Sequence, residues 1–143
     1  MEFVYNDGGR KAAGFKGLAG DCVVRAISIA TDQPYQEVYD AINALCKKQK
    51  VRKGKPSSAR TGVSRKVYEP YLQEMGWRWV PTMRVGQGCK VHLREDELPR
   101  GRLVVAVSGH MTAVVDGVLH DNHDCSRDGS RCVYGYYVGP ERK

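Results

Sequence analysis

The chain has 143 residues, 41% of them hydrophobic, enough apolar material for one packed core, which argues against wholesale disorder and against a second domain. The net charge of +7 is concentrated: residues 47–66 hold nine Lys or Arg and no acid, while the rest of the chain carries 14 basic and 16 acidic side chains. No apolar run reaches membrane-span length, and the opening MEFVYNDGGRK lacks the apolar stretch of a signal peptide, so a soluble intracellular protein is expected.

In chain order, a glycine-rich entry, GFKGLAGD, leads into Cys22. Val23, Val24, Ala26, Ile27 and Ala30 follow with helical spacing, so Cys22 opens the first helix. TDQP then punctuates, with Thr31 or Asp32 able to cap and Pro34 suited to the first turn of a second helix. In that helix Val38, Ala41, Ile42 and Leu45 form an amphipathic stripe. The chain then enters a basic loop at about 47–62, where Lys47, Lys48, Lys50, Arg52, Lys53 and Lys55 are candidates to bind nucleic acid or an acidic protein. The loop has no aromatic residue for stacking on a single strand, and a solvated surface loop accounts equally for its charge. A third helix is predicted within SRKVYEPYLQEM, with Pro70 starting or kinking it and Gly76 ending it. Beyond Gly76 come short β-branched or aromatic runs, WRWV, RLVVAV, MTAVV, VLHD and CVYGYYV. Trp77 and Trp79 alternate there as packing residues. Helices first and strands later predict one α+β domain over 1–143, with N-terminal helices packed on a C-terminal antiparallel sheet.

The informative stretch is SGHMTAVVDGVLHDNHD, residues 108–124, because Asp116-Gly117 between two apolar runs signals a two-residue hairpin. Val115 then faces Val118, Thr112 faces Asp121 and His110 faces His123. His110 and Asp121 share a face as diagonal neighbours about 7–8 Å apart at the backbone, within reach of polar side chains. A bulge would pass the role of Asp121 to Asn122. This pair is what a thiol nucleophile needs. A free cysteine has a pKa of about 8.5, and both a helix N-terminus and an imidazolium lower it. A carboxylate on the far ring nitrogen fixes the tautomer. Cys22, His110 and Asp121 are the candidate catalytic residues.

Other cysteines have weaker claims. The five, at 22, 46, 89, 125 and 132, are odd in number and include no C-x-x-C pair, so reduced thiols are expected. Cys89, with His92 nearby, is a rival nucleophile that no helix start supports. Cys125 and Cys132 flank a turn, SRDGSR, and can approach each other. His120, His123, Cys125 and Cys132 invite a zinc reading, but H-x₂-H-x-C-x₆-C is not a familiar ligand pattern, and the two histidines fall on opposite faces. No metal and no cofactor are expected.

The order of Cys at the first helix, His after a strand turn and Asp at the end of the next strand resembles the papain-like cysteine peptidase superfamily. GDCVVRA is most similar to its bacteriocin-processing branch, and the texture is similar to small phage and prophage proteins of the superfamily. The resemblance implies a papain-like fold, acyl transfer through a thioester, a peptide or protein substrate and the cytoplasm of a bacterial host. It also implies a Gln shortly before the Cys as oxyanion donor, and here the chain departs: no Gln precedes Cys22. The Cys22 amide, with Lys16 or Asn6, is the candidate replacement. Asp21, beside the thiol, opposes thiolate formation unless another group neutralises it. The competing reading is a papain-like module without useful catalysis, attaching to a host protein or nucleic acid.

Overall fold

A computed structural model describes residues 1–17, 19–48, 58–84 and 86–140. Three helices, α1 (Cys22–Thr31), α2 (Tyr35–Lys47) and α3 (Arg65–Glu74), accompany one six-stranded sheet. Its strands are β1 (Phe3–Tyr5), β2 (Arg78–Pro81), β3 (Arg102–Val107), β4 (His110–Val115), β5 (Val118–Asp121) and β6 (Val133–Val138), in the order β1-β5-β4-β3-β6-β2. The α+β class is as expected. The sheet, however, is mixed rather than antiparallel and does not lie wholly after the helices, because N-terminal β1 pairs parallel with β5. Three residues, FVY, are too few to display a strand period, so this edge was silent in the sequence.

The helices follow their apolar stripes. Residues 23–30 of α1 are all buried, and α2 buries Val38 and Ile42. Asp32 takes the left-handed conformation (φ 59°) that ends α1, and Pro34 stands at the N-cap of α2. α3 begins five residues before Pro70, which lies inside it rather than at its start. Its end is a Schellman turn: Gly76 has φ 86°, the Gly76 N–H donates to Gln73 and the Trp77 N–H to Leu72.

One sheet face meets the helices, where Val24, Ile27, Val38, Ile42 and Leu72 pack with Val104, Met111, Ala113 and Tyr137. The other face, with Leu103, Val105, Val107, Val114, Leu119 and Val133, is covered by Leu93, Leu98 and Cys125 from connecting segments. The β4–β5 hairpin has the predicted register, with Ala113 opposite His120 and Val115 opposite Val118. Its turn residues Asp116 and Gly117 both have positive φ (49° and 80°), as a twist-matched two-residue turn requires.

Trp79 lies flat across β6. A Cβ added at Gly135 would stand 2.3 Å from the indole and 2.9 Å from the Val80 carbonyl oxygen. Gly135→Ala is therefore expected to expel Trp79 and cost about 1–3 kcal/mol, as overpacking does. A lower urea midpoint with altered tryptophan fluorescence checks this.

Two cysteine expectations change. Cys89 and Cys132, 43 residues apart in sequence, form a disulfide, so the chain is not five reduced thiols and Cys132 does not pair with Cys125. An isolated bridge between His92 and Cys132, just before β6, brings the 89–92 segment alongside. Such a bond persists in oxidising surroundings, which pulls against the reducing compartment expected from the sequence. Cys22, Cys46 and Cys125 are outside this disulfide. Of the basic-loop candidates, Lys47 ends α2 and Lys48 follows it, both exposed, while Lys50, Arg52, Lys53 and Lys55 lie outside the described residues. Among the described residues, no helix is long and apolar enough to cross a membrane.

Candidate active site

Cys22 is the first residue of α1, where backbone N–H groups lack intrahelical partners and the helix end carries partial positive charge. His110 is the first residue of β4 and Asp121 the last of β5, so the hairpin delivers both to one end of the sheet. His110 Nε2 lies 2.7 Å from Asp121 Oδ2. The thiol of Cys22 is close enough to the same imidazole for each to shift the other's pKa. With Nε2 engaged by the carboxylate, Nδ1 is the ring atom left for the sulfur. All three candidate catalytic residues are thus brought together.

The electrostatics run in the direction of an ion pair. For Cys22, burial opposes the thiolate, but the His110 hydrogen bond, the Met111 N–H and the charges of His110 and Arg25 outweigh it, and the pKa falls below the ordinary value. For His110, burial opposes the imidazolium, yet hydrogen bonds with Asp121, Cys125 and Cys22 prevail and the pKa is pushed up to about 11. For Asp121, burial raises the pKa, while bonds from His110, Thr112 and the Asn122 N–H hold it below the carboxylate range.

Asp21 is neutralised. It is 1% exposed, accepts hydrogen bonds from Arg25 and from the Tyr35 hydroxyl at 2.5 Å, and forms an ion pair with Arg10, whose Nε lies 3.3 Å away. Arg25, 7% exposed, also lies 3.7 Å from Asp121 Oδ1 and 3.5 Å from Asn122 Oδ1. It therefore ties the helix carrying the thiol to the strand carrying the carboxylate. Arg10 and Arg25 thus face Asp21, and Arg25 and His110 face Asp121.

Beside the thiol stands an aromatic wall. Tyr68 on α3 is close enough to feel the charge of Cys22. Its ring meets Tyr137 edge-on at 6.1 Å, Trp79 packs on Tyr137 at 4.8 Å, and the Arg65 guanidinium lies 4.5 Å over Trp79.

The other sequence candidates are placed elsewhere. Asn6 accepts from the Gly8 N–H and directs its amide to His120 Nδ1 at 3.3 Å, away from the thiol. Lys16 is exposed, and its carbonyl is held by Arg10 and Arg60. Cys89 is consumed by its disulfide, and His92 faces Glu97 at 3.3 Å, so this pair forms no second nucleophilic site. Two cavities among the described residues, about 580 Å³ beside Arg94, Arg100 and Asp128 and about 280 Å³ beside Ser28, Arg102 and His120, include none of the three catalytic candidates.

Sequence reasoning missed Arg25 and Arg10, and grouped Cys125 with Cys132 and two other histidines rather than with Asp121 and His110. Arg25 had a signal, since Asp21 and Arg25 stand at i and i+4 on a helix entry. Cys125 is 3% exposed with Sγ 3.7 Å from Asp121 Oδ2. Compared with protein-family models, curated proteins and solved structures, the chain finds no match.

Proposed function

We propose that this protein is a papain-like, cysteine-dependent hydrolase that cleaves an amide bond (peptide, isopeptide or side-chain amide) through a thioester on Cys22. The observation that carries the reading is the His110–Asp121 pair, 2.7 Å apart, with Cys22 at a helix start near enough for the imidazole to lower its pKa. Each partner does one job in it. The Cys22 thiolate attacks the carbonyl carbon, forming the C–S bond while the carbonyl oxygen takes the negative charge. The helix end, with the Cys22 amide, faces that oxyanion. As the intermediate collapses, the C–N bond breaks and the departing amine takes the proton of the His110 imidazolium. Neutral His110 then removes a proton from water, which attacks the thioester and releases the acid and the thiolate. Asp121 stays ionised and holds the ring orientation throughout.

The test is acylation by an activated ester such as p-nitrophenyl acetate. A burst of one equivalent, with the acetyl group on the Cys22 peptide by mass spectrometry and no burst in Cys22→Ala, is expected. Equal acylation of Cys46, or a burst surviving Cys22→Ala, overturns the reading.

A further inference from the structure

Cys125 is a reduced thiol, 3% exposed, that the proposed reaction does not use. Its thiol donates to Asp121 Oδ2 at 3.7 Å. One donor atom each from His110, Asp121 and Cys125 fall within 4.8 Å of one another. His123 leans over this group: its ring centroid is 5.1 Å from that of His110, and its Nδ1 is 3.9 Å from Asp121 Oδ1. Asp121, His123 and Cys125 are alternate residues leaving the end of β5, and β4 supplies His110 across from them.

We propose that His110 Nε2, Asp121 Oδ2 and Cys125 Sγ form a binding site for a thiophilic divalent cation, zinc or cadmium, with His123 as the fourth donor at its mouth.

The donor set, two imidazoles, one carboxylate and one thiolate, is one that zinc accepts in tetrahedral coordination. Metal–sulfur and metal–nitrogen or –oxygen bonds of about 2.3 and 2.0–2.2 Å give tetrahedral edges of roughly 3.3–3.6 Å. The Sγ···Oδ2 edge, at 3.7 Å, is already close to this. The Nε2···Oδ2 edge, at 2.7 Å, must open, and it is free to do so once the proton that holds it together leaves. Binding exchanges one divalent ion for two protons released to solvent, one from the Cys125 thiol and one from His110 Nε2. His123, with 57% of its side chain exposed, has room to rotate onto the ion and leaves a path for it to enter. The site is not the four-residue cluster of the sequence: His120 is held by Asn6, and Cys132 by Cys89.

The consequence for catalysis rests on the hydrolase reading; the binding does not. A ring ligated through Nε2 can release its remaining Nδ1 proton only as an imidazolate, so the proton cycle with Cys22 stops. The bound ion would keep the enzyme silent without touching the nucleophile.

The two readings separate when binding is measured with the nucleophile removed. Cadmium titration of Cys22→Ser, followed by the ultraviolet thiolate-to-cadmium charge-transfer band, is expected to saturate at one equivalent. Cys125→Ser in that background should abolish the band, and His123→Ala, a surface change that leaves folding intact, should weaken binding about tenfold or more. A band that survives Cys125→Ser, an absence of binding to Cys22→Ser, or unchanged affinity in His123→Ala overturns the site as drawn.

Discussion

Replacing His110 with alanine is expected to slow alkylation of Cys22 by iodoacetamide about tenfold to a hundredfold near pH 6. An ordinary thiol of pKa about 8.5 is less than about one per cent thiolate at that pH, whereas the imidazole beside Cys22 lowers its pKa and raises that fraction. The gain in rate is smaller than the gain in thiolate, because a stabilised thiolate is a weaker nucleophile. The pH profiles carry the sign. Cys22 has a lowered pKa, so its alkylation in the wild type persists to lower pH than that of an ordinary thiol and is lost as the pH falls further. In His110→Ala the rate climbs with pH through the ordinary cysteine range, about tenfold per unit. Cys46 supplies the internal standard. Parallel profiles for the two proteins would remove the imidazole from any part in the thiol's reactivity.

The largest stability effect is expected at Arg25. Arg25→Ala leaves Asp21 and Asp121 buried, at 1% and 3% exposure, without the cation between them. Removing one partner of a buried ion pair costs about 3–5 kcal/mol, a large share of the stability of a domain of this size. Arg25→Lys will not rescue it, because a single ammonium cannot span two carboxylates on different elements as the guanidinium does. The double variant Asp21→Asn, Arg25→Met is expected to recover at least half of the loss, since it removes a charge together with its partner. Urea unfolding of the three variants measures this. An Arg25→Ala midpoint equal to that of the wild type would mean that the two carboxylates find other partners.

The catalytic candidates were legible because short-range rules located them. The Asp116-Gly117 turn determines which residues of β4 and β5 share a face, and that geometry needs no tertiary information. The helical stripe of α1 likewise placed Cys22 at a helix start. What stayed hidden depends on contacts between distant segments. The partner of β1 lies more than a hundred residues away, and the Cys89–Cys132 bond joins segments that only the folded sheet brings alongside. Arg25 lies between these cases. Its i,i+4 spacing to Asp21 is visible, but such pairs are common on exposed helix faces, and only burial reveals this one as the centre of a charge network. Cys125 was grouped with Cys132 across a turn, whereas its sulfur faces Asp121, four residues earlier.

The pairing of β1 with β5 has a consequence for the order in which the molecule is made. Tyr5 stands beside Asp121, and the Asn6 N–H donates to the Asp121 carbonyl at 2.8 Å. Residues 3–5 thus wait for residues made more than a hundred positions later before they have a strand to join, and closing so long a loop is among the slower steps of folding. Cys22 likewise leaves the ribosome about ninety to a hundred residues before His110 and Asp121. Until β4 and β5 have been made, the nascent chain carries that thiol without the imidazole and carboxylate that flank it in the folded protein.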